Sequence, residues 1–421
     1  MTTTQNLRSN RRYVRYRTAR AVSMLGSQFS WVTYPLLVLS LGGTPSRAGA
    51  VASCALVTRA VFRLPGGYIA DRFDRRLLML GSDAVSFVAV GTIPLAAAFH
   101  LIAYPQLLVV ATLEGVAIAI FGPSATGILR DLVPADLLKP ALGQSQAFNA
   151  VITLAGPILG GVLYGLNRML PFTLDAFSYG MSAVLLLGLA VARKLPEQDA
   201  NSDSGVLAGL RWLWHRPGVM RVLIFIGTTN LVGSAIAVTV VVGLHERGAP
   251  PTAIGVVMAC SGAGSVLGAI FAARLEERLG PARLCLAMGS LWSLGFASIA
   301  ASPSGWVIGP VLVLLFLCVP VAGVMLGTLA LGEAPHHLLG RVSTAEQVVT
   351  TTPGTAGPLL AGACLQSFGV VSTWLVLTCL CVLATTFVVI SALPRHRRSI
   401  GSPARVAADP LPSESEKGRV P

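Results

Sequence analysis

Gly66-Gly67-Tyr68-Ile69-Ala70-Asp71-Arg72-Phe73-Asp74-Arg75-Arg76 is a short polar hinge between two long apolar runs. Gly67 lets a second helix come close at the membrane surface. Asp71 is a carboxylate placed where it can cap the N-terminus of another helix. The arginines beside it sit at the depth of lipid headgroups.

The runs flanking this hinge belong to a longer series. A hydrocarbon core of roughly 30 Å needs about 20 apolar residues per helix. Stretches of that size recur at approximately 19–42, 47–70, 77–99, 106–129, 140–166, 170–192, 219–242, 252–274, 282–301, 305–332, 341–367 and 370–393. They are about twice the length a barrel strand needs and lack its alternation. The chain therefore reads as an all-α integral membrane protein with twelve transmembrane helices, arranged as two pseudo-symmetric six-helix bundles. Composition agrees. Of 421 residues 53% are hydrophobic and 12% charged, with a mean hydropathy of +0.71, whereas soluble domains carry about 25% charged residues.

The net charge of +13 does not indicate a nucleic-acid partner, because the basic residues are not gathered on one soluble domain. They lie in the gaps between apolar runs and set an orientation. With the N-terminus inside, the outer loops take only Arg47, Arg168 and Arg247, and Arg59 and Arg63 lie within a span; the other Lys and Arg residues fall on the cytoplasmic side, as the positive-inside rule requires. Both termini are then expected in the cytoplasm of a cell (inner) membrane protein. Arg11-Arg12 has no small-residue cleavage site after the first run, so that run reads as an uncleaved span. The seven cysteines all fall in apolar runs, with no C-x-x-C pair or zinc spacing; neither a metal nor a cofactor is expected.

Residues 1–18 read as a basic cytoplasmic tail, 19–192 as the first bundle, 193–218 as a cytoplasmic linker, 219–393 as the second bundle and 394–421 as a disordered cytoplasmic tail rich in Pro, Ser and charge. The second part of the linker, Gly205 to Pro217, has an amphipathic pattern, with Trp212 and Trp214 suited to the headgroup region and Arg211 and Arg216 to lipid phosphates. An internal repeat supports the two halves. Pro134, Leu137-Leu138, Gln146 and Gly156-Pro157 recur in one register as Pro335, Leu338-Leu339, Gln347 and Gly357-Pro358. Transporters duplicated in this way place substrate near the midplane between the halves.

The hinge motif resembles the G-x-x-x-D-R-x-x-R-R signature that the major facilitator superfamily carries between spans 2 and 3. The resemblance implies that Asp71 docks on the start of span 11, near Arg341–Ala345. It also implies that Arg75 pairs with Asp131 at the inner end of span 4. Together Gly67, Asp71, Arg72, Arg75, Arg76 and Asp131 would form a latch holding the halves in the outward-open state. Glu277-Arg278-Leu279-Gly280 is only a worn copy in the second half. In span 5, Gly156-Pro157-Ile158-Leu159-Gly160-Gly161 is similar to the G-P-x-x-G-G pattern of the superfamily's exporters. Pro157 bends the helix, and Gly156/Gly160 and Gly161/Gly165 have GxxxG spacing. Phe121-Gly122-Pro123, Asp131-Leu132-Val133-Pro134, Leu174-Asp175-Ala176-Phe177-Ser178 and the linker helix resemble the macrolide-efflux and siderophore-exporter branch of drug:proton antiporters. The resemblance implies export by alternating access, with coupling protons and a small-molecule substrate as partners and a monomer as the working unit. Where the branch has an arginine motif early in span 4, this chain has Leu113-Glu114-Gly115.

Charged groups in a span are costly unless paired or wet, so they are candidates for function. Arg59, Arg63, Asp83, Glu114 and, nearer the outer surface, Asp175 qualify. Arg63 and Asp83 each lie ten residues from the turn near residue 73, roughly 15 Å along adjacent helices, and are expected to form an ion pair, static or broken during transport. Glu114 is 17 residues before Asp131, hence about 25 Å from the inner surface. A low dielectric disfavours the ionised form of a carboxyl, which suits a carrier of the coupling proton; a cationic group of the substrate is the alternative occupant. Arg59, near mid-depth, could neutralise Glu114 or attract an anionic substrate. Gln28, Asn149 and Asn230 could line the cavity or join helices by hydrogen bonds. An importer or uniporter of the same fold fits the same architecture. A membrane enzyme or sensor would need clustered ligands, whereas His336-His337 stand alone, and no phosphate-binding GxxxxGK[ST] loop is present.

Overall fold

The computed structural model describes residues 10–189, 205–333 and 339–392. The expectations for residues 1–9, the polar stretch 193–204, Pro335, His336-His337, Leu338 and the tail 394–421 lie outside the described residues.

Among the described residues every regular element is helical. Span 1 is Arg11–Ser40. Span 2 is Pro45–Val61 followed by Arg63–Arg72, bent by 47° at Phe62. Spans 3 to 6 are Arg75–Ala98, Tyr104–Leu132, Leu138–Leu166 and Leu170–Leu187. A linker helix, Gly205–Trp214, precedes span 7, Pro217–His245. Pro251–Ala301 carries spans 8 and 9, and Gly305–Glu333 is span 10. Leu339–Thr351, a 3₁₀ turn at Pro353–Ala356 and Gly357–Ala392 carry spans 11 and 12.

Two reversals separate spans that would otherwise run together. Gly280 has φ 68° and ψ 167° and precedes Pro281, and Gly369 has φ 77°; side chains disfavour this region, which glycine enters freely. Without the second break, the 50 residues from Arg341 to Ile390 would run roughly 75 Å, more than twice the apolar thickness of a bilayer. Counting the bent pair as one span and dividing Arg341–Ile390 at Gly369, the described helices make twelve spans. An even number of crossings brings the start of span 1 and the end of span 12 to one face, here termed the terminal face; the opposite one is the far face.

The first helix begins earlier than the apolar run, at Arg11 within the basic segment. Asn10 caps it, its side chain accepting from the backbone N–H groups of Arg12 and Tyr13. Tyr13, Tyr16 and Ala19 are buried, one side of the helix at three-residue spacing, with the Tyr16 hydroxyl donating to the Ala125 carbonyl at 2.8 Å. Between them Arg15 is exposed and donates to the Gly188 carbonyl at 2.6 Å, while Arg17 is half-buried, donating to Gln144 at 2.9 Å and lying over the Phe148 ring.

Among the described residues three apolar cores form. One, built from residues such as Leu36, Val51, Ile93, Leu107, Val238, Ile254, Leu312 and Trp374, draws on both halves and lies toward the far face. The other two lie toward the terminal face and are separate. Tyr13, Met79, Ile128 and Leu186 belong to the first half, and Leu223, Cys285, Met325 and Val342 to the second. The halves are therefore joined at the far face and part toward the terminal face.

The repeat reappears in the packing. Gly161 abuts the Pro251 carbonyl and lies so that a Cβ would sit 3.1 Å from the Gly255 Cα, while Gly255 reciprocally abuts the Pro157 carbonyl. In the other crossing, Gly362 abuts Pro45 and Gly49, and Gly49 abuts the Pro358 carbonyl. Span 5 thus crosses span 8 as span 11 crosses span 2, through residues that correspond in the repeat register of Gly156-Pro157 and Gly357-Pro358.

Candidate functional site

The hinge motif is only partly assembled. Arg75 pairs with Asp131 at 3.2 Å and with Asp71 at 3.7 Å. It lies over Gly127, where a Cβ would collide with its guanidinium. Arg76 donates through Nε to the Leu186 carbonyl at 3.0 Å and also to that of Leu187, tying the hinge to span 6. Arg72 stacks over the Tyr68 ring at 4.4 Å. Asp74 caps span 3, accepting from the backbone N–H groups of Arg76 and Leu77.

One expectation for the motif is corrected. A Cβ at Gly67 would meet nothing within 4 Å; Gly66 is the residue of close approach, against the Ala119 carbonyl of span 4. The contact of Asp71 with the start of span 11, expected of the outward-open state, is not made in this arrangement. The Asp71 side chain is 75% exposed and its one ion-pair partner among the described residues is Arg75. The physical reason is the parting of the halves at this face. The first turn of span 11 is instead covered by the linker helix, whose Gly209 abuts the Arg341 carbonyl and whose Leu213 is fully buried. Trp212 carries Arg216 over its ring at 4.4 Å, and Trp214 is exposed.

The glycines of span 5 serve two neighbours. A Cβ at Gly156 would strike Gln28, and one at Gly160 would lie 3.0 Å from the Phe29 carbonyl oxygen, both on span 1. Gly161 and Gly165 face span 8, as above, and Gly262 of span 8 packs on Leu154. Pro157 lies within the helix Leu138–Leu166.

Within the first half the acidic groups form a buried ladder between spans 1 and 6. Glu114, 7% exposed, accepts from the Tyr34 hydroxyl at 2.6 Å and the Tyr179 hydroxyl at 3.1 Å. Tyr179 meets the Ser27 hydroxyl at 3.0 Å, and Ser27 can donate to the Ser23 carbonyl at 2.9 Å. Asp175, fully buried, accepts from Ser30 through Oδ2, while its Oδ1 has no hydrogen-bond partner. Asp83 accepts from Ser182 at 2.6 Å and from Ser23 at 3.5 Å.

This arrangement can hold Glu114 in either protonation state. Ionised, it accepts from both tyrosines, with Ser27 donating to Tyr179. Protonated, it can donate to Tyr179, which then donates to Ser27, which turns its proton to the Ser23 carbonyl. The hydroxyls reverse direction and the buried oxygens of this row keep partners.

The expected Arg63–Asp83 ion pair is absent. Depth along a hairpin sets height but not azimuth: Asp83 faces spans 1 and 6, whereas Arg63 faces span 11, donating to Gln347 Oε1 and, at 3.5 Å, to Thr351. Arg59 makes no ion pair with Glu114, whose two oxygens each accept from a tyrosine hydroxyl. Gln28 donates to Thr153 at 3.4 Å, Asn230 to the Thr350 carbonyl at 3.0 Å, and Asn149 to Gln146 at 3.2 Å. The first two join spans within one half.

Tyr34, Tyr179, Ser27 and Ser30 were not identifiable from sequence, because hydroxyls on an apolar helix carry no positional signal. Asp175 was visible as an intramembrane charge, but its partnership with span 1 was not. Glu346, a buried acid on span 11, could have been found by the rarity of carboxylates in apolar runs.

A family model described as the Major Facilitator Superfamily matches residues 18–352. The multidrug efflux pump Tap of Mycobacterium tuberculosis is 28% identical over 386 residues, covering 85% of this chain and 88% of that one. The enterobactin exporter EntS of Shigella dysenteriae is 23% identical, covering 84% of each. Among solved structures, the nucleoside transporter NupG aligns with a TM-score of 0.76 at 12% identity, covering 90% of this chain and 98% of that one.

Proposed function

The chain belongs to the major facilitator superfamily, and from that premise we propose that it is a secondary active exporter that expels a small molecule by alternating access in exchange for protons. As a transporter it is a multi-pass protein of a cell membrane. The terminal face is the cytoplasmic one in this reading, since it gathers Arg72, Arg75, Arg76, Arg130, Arg216 and Arg221.

The observation that carries the proposal is the arrangement of the three cores. One core shared at the far face and two independent ones at the terminal face are what a rocking-bundle transporter needs when its cavity opens to the cytoplasm. The opposite state follows if the glycine crossings of spans 5/8 and 2/11 separate and Asp71 meets span 11. Glu114 is the proposed proton site, because its hydroxyl row accommodates both protonation states without stranding a polar group. Efflux as the direction is supported by the likeness to Tap and EntS and by the G-P-x-x-G-G segment at the interface. Monomeric action needs no residue from a second copy.

The test is transport into proteoliposomes of a panel of radiolabelled drugs and siderophores under an imposed pH gradient of either sign. An antiporter accumulates its cargo when the lumen is the acidic side, because protons leave as cargo enters. In Glu114→Gln the gradient-driven component drops to that of protein-free liposomes. Accumulation favoured by acid outside the lumen identifies an importer coupled in the other sense, and gradient dependence that survives Glu114→Gln removes Glu114 from the coupling.

A further inference from the structure

Span 2 carries Arg59 and Arg63 one turn apart, both exposed. Exposure in a membrane protein faces either lipid or water, and the rest of the helix distinguishes them. Val57, Val61, Leu64 and Tyr68, at helical spacing, are large exposed apolar side chains and form the lipid stripe. At 3.6 residues per turn, Arg59 and Arg63 fall roughly opposite that stripe. They lie between the side where Thr58 meets Gly115 of span 4 and the side where Gly49 and Ser53 meet span 11. Both arginines therefore open into the space between the halves.

Neither has an anionic partner among the described residues. The hinge carboxylates Asp71 and Asp131 are taken by Arg75. Asp83, Glu114 and Asp175 are turned into the first bundle, where serine and tyrosine hydroxyls hold them. Among the described residues Arg63 donates to the neutral Gln347 and Thr351, and neither arginine has an ion pair. Two unneutralised cations within an apolar slab are costly, and a guanidinium presents a planar donor fork that fits carboxylate, sulfonate or phosphate.

We propose that Arg59 and Arg63 are a binding site for an anionic group of the transported molecule, the cargo being an amphiphile that bears a carboxylate, sulfonate or phosphate. The anion supplies the charge that the protein withholds. Gln347 and Thr351 tie the site to span 11, so the ligand is gripped between the two halves. Asp83, Glu114 and Asp175, turned into the first bundle, are left to the proton. This deepens the transporter reading without depending on its direction or coupling.

The experiment is equilibrium binding, without any gradient, of two dyes on one xanthene frame: anionic fluorescein and cationic rhodamine 123. The purified full chain is held in phosphatidylcholine nanodiscs and binding is read by anisotropy. Fluorescein binds at least about ten-fold tighter, as a charge-assisted hydrogen-bond pair sets. The preference disappears in R59Q/R63Q and returns in R59K/R63K, while R47Q, on a far-face arginine stacked over Tyr104, leaves it intact. Replacing part of the lipid by phosphatidylglycerol separates the sources. Displacement of fluorescein assigns the site to a lipid headgroup, and retained binding assigns it to a soluble anion. A wild-type protein that fails to prefer the anion, or a preference that survives R59Q/R63Q in a monodisperse preparation, overturns the proposal. Loss of gradient-driven transport with the preference intact would instead fail the antiporter reading alone.

Discussion

Glu114 and Tyr179 do different work from Glu114 and Tyr34, although both tyrosines donate to the same carboxylate. Tyr34 ends the hydrogen-bonded row; Tyr179 continues it to Ser27. Tyr34→Phe and Tyr179→Phe should each lower stability by about 1–3 kcal/mol, the cost of leaving a buried acceptor short of a donor. Tyr179→Phe alone should also slow proton-coupled exchange, because it removes the hydroxyl that reverses. Thermal unfolding in detergent and transport measured side by side distinguish the two effects. Asp83 and Arg63 make a second test. Exchanging their charges should restore nothing lost in either single reversal, since one faces Ser182 and the other Gln347. That these residues were charged and intramembrane was legible in the sequence. Their partners were not, because a helix's rotation about its own axis is set by packing rather than by position along the chain.

The crossings of span 5 with span 8 and of span 11 with span 2 are glycine-on-backbone contacts with no room for a side chain. Gly161→Val and Gly362→Val should each force the far-face ends apart, at a cost of about 1–3 kcal/mol for overpacking, and shift the population toward opening there. A cysteine placed at Ser46, in a chain whose seven native cysteines are replaced, should then react faster with an impermeant maleimide; unchanged reactivity would refute the role of the crossings. At this scale much was readable in advance. The G-P pairs and their recurrence pointed to equivalent elements, and the structure adds that they pack through the corresponding glycines. The hinge motif was read less well. Gly66, not Gly67, makes the close approach, because two adjacent glycines point about 100° apart on a helix and only the fold shows which faces span 4.

As a whole, the molecule has its halves joined at the far face and apart at the terminal face, with Asp71 exposed and the linker helix on the first turn of span 11. A D71C/S343C pair in the cysteine-free chain should cross-link only when the terminal face closes, halt transport when oxidised, and release it on reduction. Failure to cross-link under turnover would mean that Asp71 never meets span 11. The amino-acid sequence alone determined the twelve crossings, their helical character, the duplication and the family, because each is written in local composition, in run length and in residues recurring at fixed spacing. Tertiary structure alone decided which charges are buried together, which two arginines are left facing the cavity, and which face is sealed. Those outcomes depend on the azimuth of every helix and on the balance between two packings of the same halves, neither of which any single stretch of residues encodes.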